Sequence, residues 1–406
     1  EITAAVDFTG KAGSQTVTVN YSFDASTMAG GKYVVFESVY LMDGEEKILM
    51  ATHEDLADKD QTFTVPKIET NLYDASTMTN ISYPGDNIEL RDILSYTGLE
   101  PGKTYTVSSR LVHQDTGETY VDGDGKSMDL KDHFQFTPEE PDGDVEVSIP
   151  INGSNLSGCL VAYQTVTLNG DMIGKHEDIT SETQTLFVPG IQTSATDKET
   201  GSKYIKADPE MTIVDAVTFE NMQDGMAVIL KATLMDKETG EALKDANGDP
   251  ITAEHEFVPD GTSGTENVEI TFDGTNLKGK TVVVFEEAWM GDLLVAQHKD
   301  LKDEAQTLKI PGISTSAVNQ ETGDRNGILG EEMTIEDTVT YRNLDPGTEY
   351  RLDAVLYNKD TGEPYLDSGK TITATKTFTP AAADGEEQVT LLFNRDEVGA
   401  SGLVVF

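Results

Sequence analysis

The sequence predicts an all-β protein of tandem Ig-like β-sandwich domains that follow one another as an elongated rod. Short runs rich in Val, Ile, Thr, Tyr and Phe alternate with turn sequences such as "DTGE", "KETGE" and "NGDP". No stretch keeps the 3.6-residue apolar period of an amphipathic helix. The chain also repeats itself, since "HEDLADKDQT" at 53–62 returns as "HEDITSETQT" at 176–185 and "HKDLKDEAQT" at 298–307. This spacing of 122 to 123 residues leaves room for about seven to nine strands per repeat, as in a sandwich.

The composition argues against nucleic-acid partners and against membrane insertion. The 406 residues include 73 acidic and 29 basic side chains, which gives a formal net charge of −44. Such a charge repels nucleic acid and anionic lipid. No apolar run approaches the roughly 20 residues that cross a bilayer. Cys159 is the only cysteine, so no internal disulfide can form, which is typical of an exported bacterial protein stabilised by other means.

The order of recurring segments divides the chain into four parts. Residues 67–189 and 190–311 are predicted to be complete repeats. Residues 1–66 correspond to the C-terminal part of a repeat and residues 312–406 to the N-terminal part of another, so we interpret the chain as a piece of a longer array. The joints "FVPGIQT" and "KIPGIST" leave almost no linker, which favours a semi-rigid arrangement of neighbouring repeats.

Two reactive residue types recur at fixed places in this frame. A threonine follows an isoleucine by two residues in the first strand of a repeat, and a glutamine lies eight residues after the histidine of the recurring motif. A threonine hydroxyl is a nucleophile and a glutamine side-chain amide is an acyl donor. The threonines are Thr70, Thr193 and Thr315, and the glutamines are Gln61, Gln184 and Gln306.

At these residues the sequence resembles a known family, the T-Q ester-bond domains or VaFE repeats of Gram-positive surface adhesins. The resemblance covers the whole chain and rests on "IxTxAxD", "DTVxY", "LMDKETG", "VVFEE" and "HxDxxDxxQT", which occur in that order. It implies CnaB-like sandwiches in which the threonine attacks the glutamine amide, ammonia leaves, and an ester joins the first strand to the last. The implied bonds are Thr70 to Gln184 and Thr193 to Gln306, whereas Gln61 and Thr315 would pair with residues outside this sequence.

Ester formation needs a base for the hydroxyl and an acid for the amide oxygen. A neutral imidazole can take the hydroxyl proton near pH 7. Two carboxyl groups placed close together share a proton, and the neutral acid can stabilise the oxyanion. We expect such a site to be dry, because water and a base would hydrolyse the ester. The candidate bases are His53, His176 and His298, and the candidate acids are Asp92, Asp215, Asp337, Glu37 and Glu286.

Two departures from the family pattern affect the complete repeats. Gln164 stands where the pattern has Glu and cannot donate a carboxylic proton, so we expect slow or incomplete bond formation in 67–189. The "DTVxY" motif becomes "DILSY" and "DAVTF". Thr338 therefore has Ile93 and Ala216 as its counterparts, which favours the first-strand threonine as the nucleophile.

Other interpretations stay open at this point. The three motif histidines could be kept for packing alone, the Asp positions could be turn or edge residues, and the Glu positions could face water. Among proteins of similar build, a pilin-like array locked by Lys–Asn isopeptide bonds is the nearest alternative, followed by a ligand-binding adhesin region without cross-links and by a hydrolase. The remaining histidines, His113, His133 and His255, are predicted to be surface residues.

The favoured function is a structural stalk of a cell-surface adhesin or fibre, with single-turnover bond formation and no enzyme activity. No metal and no cofactor are implied. The expected partners are the neighbouring repeats of the same chain and a host ligand bound by a tip domain outside this sequence. The expected location is extracellular, on a bacterial cell surface, with cell-wall anchoring through a segment outside this sequence.

Overall fold

The computed structural model describes residues 2–25, 27–326, 332–394 and 402–406. The prediction of an all-β fold is confirmed: within these ranges the only helical elements are two single 3₁₀ turns, and the regular structure is otherwise β-strand. The chain divides into two compact units, Glu1–Val188 and Pro189–Phe406. No helix in the described ranges is long and apolar enough to cross a membrane.

Residues 67–189 form a complete two-sheet sandwich. One sheet has the order β5-β6-β9 and the other has the order β11-β10-β7-β8, with β12 added beside β10. The strands are β5 (Lys67–Asp74), β6 (Gly85–Thr97), β7 (Tyr105–His113), β8 (Asp129–Phe136), β9 (Gly143–Gly153), β10 (Leu160–Leu168), β11 (Asp171–His176) and β12 (Thr185–Leu186), and a 3₁₀ turn covers Glu182–Gln184.

The core of this sandwich follows from period-2 alternation in the strands. Alternate residues of β6 are buried from Ile88 to Tyr96, as expected for a strand with one face against a core. Leu72 and Leu90 of the first sheet belong to one buried cluster with Leu111 and Ala162 of the second. The two inner faces therefore form a single core, and the site described below lies within it.

Residues 190–311 repeat the same architecture. The sheets have the orders β13-β14-β17 and β16-β15-β18-β19, with β20 added beside β18. Ile213 and Val268 of one sheet and Leu230 and Val284 of the other are fully buried. The strands are β13 (Gly190–Asp197), β14 (Met211–Glu220), β15 (Val228–Asp236), β16 (Thr252–Phe257), β17 (Gly264–Phe272), β18 (Thr281–Met290), β19 (Leu293–His298) and β20 (Thr307–Lys309), and a 3₁₀ turn covers Thr275–Leu277.

The first and last parts of the chain contain portions of the same pattern. In the first part, β1 pairs with β4 and β2 pairs with β3. In the last part, one sheet has the order β21-β22-β27 and another the order β26-β23-β28. The strands of the first part are β1 (Lys32–Val34), β2 (Glu37–Asp43), β3 (Glu46–His53) and β4 (Thr62–Thr64). Those of the last part are β21 (Gly312–Asn319), β22 (Glu332–Arg342), β23 (Tyr350–Asn358), β24 (Leu366–Asp367), β25 (Lys370–Thr371), β26 (Thr373–Phe378), β27 (Gly385–Asn394) and β28 (Leu403–Val405).

One antiparallel hairpin recurs and sets the position of the motif histidine. The histidine ends the second strand of the hairpin and lies directly opposite the residue at the "VVFE" glutamate position. A bulge two residues further along the first strand recurs in each copy. The opposed pairs are Glu37 with His53, Gln164 with His176, and Glu286 with His298.

Candidate cross-linking site

The structure brings a predicted threonine and a predicted glutamine into contact in both complete repeats. In 190–311, the Gln306 Nε2 donates a hydrogen bond to Thr193 Oγ1 at 2.6 Å. In 67–189, the Gln184 Nε2 donates to Thr70 Oγ1 at 3.0 Å. All four side chains are buried, and both glutamines are completely inaccessible to solvent. The two groups that would react therefore touch each other in a dry interior.

The threonines lie on the opening strands β5 and β13, but each glutamine precedes its final strand rather than lying in it. Gln184 is the last residue of the 3₁₀ turn before β12, and Gln306 immediately precedes β20. This differs from the expectation that the ester joins the first strand to the last, which would place both glutamines within the final strand. A residue inside a strand that pairs with β10 or β18 has its direction fixed by the pleat, whereas a residue in the preceding turn can aim its amide at the opening strand.

Turn contacts that recur in all three copies of the motif explain two of its other residues. The first aspartate after the histidine accepts a hydrogen bond from the backbone N–H two residues later in every copy, which makes an Asx turn and not a reactive group. The threonine that follows the glutamine donates its hydroxyl to the backbone carbonyl four residues earlier. These aspartates are Asp55, Asp178 and Asp300, and these threonines are Thr62, Thr185 and Thr307.

In 67–189 the histidine is placed to act as a base on the threonine. His176 Nδ1 accepts the backbone N–H of Thr70 at 3.0 Å and lies 3.2 Å from Thr70 Oγ1. Because Nδ1 accepts a hydrogen bond, the proton of the neutral ring belongs on Nε2. Burial lowers the pKa of His176, which keeps the ring neutral near pH 7. The single lone pair of Nδ1 is shared between the backbone N–H and the hydroxyl of Thr70, and it can take the hydroxyl proton when attack begins.

In 190–311 the histidine has a carboxylate partner on its other nitrogen. His298 Nε2 lies 3.0 Å from Asp303 Oδ2, and its Nδ1 is buried without a hydrogen-bond partner among the described residues. His53 makes the same contact with Asp58 at 2.9 Å. Ser181 occupies this position in 67–189. The sequence contained a signal for this contact, the second Asp of "HxDxxDxxQT", to which no role was assigned.

Asp215 and Glu286, hereafter the acid pair, are both fully buried. Burial raises the pKa of Asp215 to about 7, against the opposing effects of the nearby Thr193 hydroxyl and the Lys203 ammonium. The Thr193 hydroxyl is near Asp215, but neither carboxylate oxygen of Asp215 has a hydrogen-bond partner among the described residues. Burial, and then the neighbouring Asp215 and Glu287 charges, raise the pKa of Glu286 to about 9. At neutral pH Glu286 is therefore protonated and can donate a hydrogen bond.

In 67–189 the corresponding pair is Asp92 and Gln164. Both are fully buried, and Gln164 Nε2 donates to Asp92 Oδ2 at 2.7 Å. Burial raises the pKa of Asp92 to about 7, while the hydrogen bond from Gln164 acts in the opposite direction. The glutamine thus supplies a hydrogen bond to the aspartate without carrying a charge.

The amide oxygens of both reacting glutamines are buried acceptors. Neither Gln184 Oε1 nor Gln306 Oε1 has a hydrogen-bond partner in the described ranges. An unpaired buried carbonyl oxygen costs about 1–3 kcal/mol. Such an oxygen is ready to accept a proton donor when negative charge develops on it during attack.

Lys203 is a further residue that sequence reasoning did not single out. Its ammonium donates to the backbone carbonyls of Ala195, two residues after Thr193, and of Ala305, directly before Gln306. It therefore ties the opening strand to the segment that carries the glutamine. Arg325 lies ten residues after Thr315, as Lys203 does after Thr193, whereas Asn80 takes this place after Thr70. That shared spacing was the available signal.

The predicted site residues of the first and last parts form no contact between a threonine hydroxyl and a glutamine amide within the described residues. Glu37 and His53 face each other in β2 and β3 but are exposed, and Gln61 Oε1 is buried without a hydrogen-bond partner among the described residues. Thr315 is exposed on β21, while Asp337 is buried on β22, and burial raises its pKa.

The three remaining histidines differ in their surroundings. His113 packs edge-on against Tyr120, and the half-exposed His255 lies 3.1 Å from Glu266. His133 is instead half-buried and lies 2.6 Å from the Ser109 hydroxyl. All three side chains are partly buried, so the prediction of surface residues does not fully describe any of them.

Comparison with known proteins adds the family. A search of curated proteins found no match. Among solved structures, an adhesin from Mobiluncus mulieris with intramolecular disulfide, isopeptide and ester-bond cross-links aligns with 63% of this chain and 88% of its own, at 13% identity and a TM-score of 0.26. A glycosyl hydrolase family 2 protein from Bacteroides cellulosilyticus aligns with 59% of this chain and 28% of its own, at 11% identity and a TM-score of 0.23. The model of the T-Q ester bond containing domain matches residues 1–65, 66–188, 189–310 and 311–406. Since these matches span the chain, the protein belongs to the family of T-Q ester bond containing domains.

Proposed function

We propose that this chain is a stalk segment of a bacterial cell-surface adhesin, whose complete repeats each form one intramolecular Thr–Gln ester. The observation that carries the proposal is the buried contact between the glutamine amide and the threonine hydroxyl in both complete repeats. The bonds join Thr70 to Gln184 and Thr193 to Gln306. Each bond connects the opening strand of a sandwich to the segment directly before its final strand.

The reaction is an acyl transfer from nitrogen to oxygen. The histidine takes the proton of the threonine hydroxyl while Oγ1 adds to the side-chain carbonyl carbon of the glutamine. The tetrahedral intermediate collapses as the C–N bond breaks, and the protonated histidine returns the proton to the departing nitrogen. The products are the ester and one molecule of ammonia, so atoms and charge balance without a cofactor or a second substrate.

The buried acids stabilise the negative charge that develops on the oxygen of the attacked amide. A protonated carboxyl group donates a hydrogen bond to the oxyanion and is neutral before the reaction, so it adds no charge to a dry site. In 190–311 the protonated Glu286 and its neighbour Asp215 suit this role. In 67–189 burial raises the pKa of Asp92 to about 7, so its neutral form is accessible near neutral pH.

Burial also accounts for a stable product. Gln184 and Gln306 are inaccessible to solvent, so water cannot approach the ester carbonyl while the fold is intact. The substrate is part of the chain, and each site reacts once. We therefore assign no turnover activity to the protein.

The stalk assignment follows from where the bond lies. Force applied along a chain enters a domain by its first strand and leaves by its last, and a covalent link between them carries that force past the remaining strands. We propose an extracellular, cell-wall-attached location on a Gram-positive bacterium, contacts with neighbouring repeats, and a host ligand bound elsewhere in the full-length protein.

Intact-mass spectrometry of the purified full chain tests the proposal. We expect the sequence mass less two ammonia molecules. Hydroxylamine added in denaturant, which opens the buried sites, should cleave each cross-link to a threonine hydroxyl and a glutamyl hydroxamate, because it cleaves esters and spares the isopeptide bonds of the alternative. Thr70→Ala and Thr193→Ala should each lose only one ammonia molecule, because each variant can form only one ester. Thr196→Ala, on the same strand as Thr193, is the matched control and should behave as the wild type. A wild-type mass equal to the sequence mass would refute the proposal.

A further inference from the structure

Gln164 is held in a continuous chain of hydrogen bonds that 190–311 does not contain. Its Nε2 donates to Asp92 Oδ2 at 2.7 Å, and its Oε1 accepts the Ser109 hydroxyl at 2.6 Å. The Ser109 oxygen lies 2.6 Å from His133 Nε2. Ser109 is 1% exposed, so this chain runs from the buried aspartate through the interior to a half-buried histidine.

The direction of this chain follows from counting protons. Ser109 has one hydroxyl proton and gives it to Gln164, so its oxygen must accept a proton from His133 Nε2. Burial lowers the pKa of His133, which leaves the neutral ring with one proton near pH 7. The contact with Ser109 places that proton on Nε2. Every donor in the chain then points toward Asp92.

The next repeat has a matched change at two positions. Gln164 pairs across the sheet with Ser109, and Glu286 pairs in the same register with Ala232. Glutamine therefore occurs with a serine hydroxyl beside it, and glutamate occurs with a methyl group. A carboxyl group can carry its proton on either oxygen, but an amide must be turned so that its NH₂ and not its carbonyl faces the aspartate. The serine is needed only where the amide is present.

We propose that Ser109 and His133 are positioning residues that hold the Gln164 amide as a neutral hydrogen-bond donor to Asp92, so that 67–189 forms its Thr70–Gln184 ester without the usual glutamate. This inference rests on the proposed function and replaces the expectation of a slow or incomplete reaction in 67–189. Because Asp92 Oδ2 accepts the hydrogen bond from Gln164, the proton of the neutral acid belongs on Oδ1, which has no other partner among the described residues and can donate to the oxyanion. The site consequently holds at most one negative charge.

The test uses the full chain isolated from inclusion bodies, so that it has not folded or reacted, and dissolved in denaturant before dilution into native buffer. The two esters are followed separately over time by mass spectrometry of the cross-linked peptides. Ser109→Ala leaves Gln164 Oε1 unpaired and its amide free to turn, so we expect the Thr70–Gln184 ester to form about tenfold more slowly or worse. The Thr193–Gln306 ester should form at the wild-type rate. Ser148→Ala, which removes an exposed hydroxyl on β9 that contacts only Glu89, is the matched control.

A double variant separates positioning from general damage to the fold. Ser109→Ala with Gln164→Glu reproduces the Ala232 and Glu286 combination of the next repeat, and we expect it to restore the rate that Ser109→Ala loses. His133→Ala breaks the chain from its accessible end and should also slow this ester alone. The proposal is overturned if Ser109→Ala reacts at the wild-type rate, or if the double variant is no faster than the single one.

The outcomes for the wild-type chain distinguish this inference from the proposed function. If neither ester forms, the proposed function fails. If Thr193–Gln306 forms and Thr70–Gln184 does not, the proposed function holds for 190–311, and the inference about Gln164 is wrong.

Discussion

The Gln306 amide nitrogen lies 2.6 Å from Thr193 Oγ1, although 113 positions of sequence separate the two residues. Gln184 and Thr70 are 114 positions apart and lie 3.0 Å from each other. In both repeats the fold supplies the proximity, because the opening strand and the turn before the last strand meet inside the core. Holding two reactants in place in this way removes much of the entropy cost of bringing them together.

Loss of the Thr193–Gln306 bond should lower stability by an amount set by the closed loop. For a loop of about 100 residues the chain-entropy model gives about 4.7 kcal/mol. We therefore expect Thr193→Ala to lower the free energy of unfolding of 190–311 by about 4–5 kcal/mol. Denaturant unfolding of the full chain, with Thr196→Ala as the control, measures this difference. Equal midpoints for the two variants would contradict it.

The same variant should change the response to force. With the ester intact, pulling on the chain ends cannot extend the segment between Thr193 and Gln306. Without it, 113 residues become extensible at about 3.4 Å each, so Thr193→Ala should add an extension step of about 380 Å. Single-molecule pulling on the full chain detects such a step. Its presence in fully esterified wild-type chain would show that the bond does not carry the load.

The acid pair should make the unreacted repeat less stable as pH rises. The pKa of Asp215 is about 7 in the fold against 3.8 unfolded, and that of Glu286 is about 9 against 4.5. The folded state therefore binds more protons from about pH 4 to pH 9. This stabilisation is complete below the unfolded pKa values and is lost as pH rises through 7 and then 9.

Thermal denaturation of Thr193→Ala with and without Glu286→Gln isolates the contribution of Glu286. The melting temperature of the single variant should fall relative to that of the double variant between pH 5 and pH 9. A constant difference across this range would mean that Glu286 is not held protonated by the fold.

The two esters should differ in how their formation depends on alkaline pH. The neutral form of Glu286 is lost above about pH 9, so formation of the Thr193–Gln306 bond should slow there. Gln164 cannot ionise, and the rate for Thr70–Gln184 should show no decline centred at that pH. Refolding unreacted full chain, isolated from inclusion bodies, at a series of pH values measures both rates of ester formation in one sample. A shared decline at pH 9 would point to a group outside the acid pair.

Exchange of the histidine partners should move the two rates in opposite directions. Asp303 Oδ2 lies 3.0 Å from His298 Nε2 and stabilises the imidazolium that forms during attack. Asp303→Ser should slow the Thr193–Gln306 reaction about tenfold or more, since hydrogen bonds to charged groups are worth about 1.5–3 kcal/mol. Ser181→Asp should accelerate the Thr70–Gln184 reaction. Mass spectrometry of the cross-linked peptides during refolding of unreacted chain gives the rate of each ester. The unaltered repeat of the same chain is the control.

The fold class could be predicted from the sequence because β-sheet alternation and turn chemistry are local signals. Alternate burial along β6 and the recurring turns are visible in the residue pattern itself. The internal repetition supplied the frame in which Thr193 and Gln306 stand out. Their approach to each other depends on the pairing of strands far apart in sequence, for which the motif spacing gave only an indirect signal.

The contacts that support the reacting residues could not be predicted from the sequence, and the reason is physical. The contacts of Ser109 with Gln164 and of Lys203 with Ala305 link residues whose neighbourhood exists only after both sheets are packed. Gln164 was interpreted from what its side chain lacks, a carboxylic proton. In the structure, the Gln164 side-chain N–H donates to Asp92, and the Ser109 hydroxyl on the adjacent strand donates to the Gln164 carbonyl oxygen.

The complete enclosure of Gln306 has a consequence for the working life of the protein. If water reached the proposed ester, hydrolysis would leave a glutamate, because the proposed reaction removes the amide nitrogen. A carboxylate is a far weaker acylating group than the original amide, so the broken link could not be remade by the same chemistry. The durability of each proposed cross-link thus depends on the packing around it, and a repeat whose ester is hydrolysed could not form that bond again.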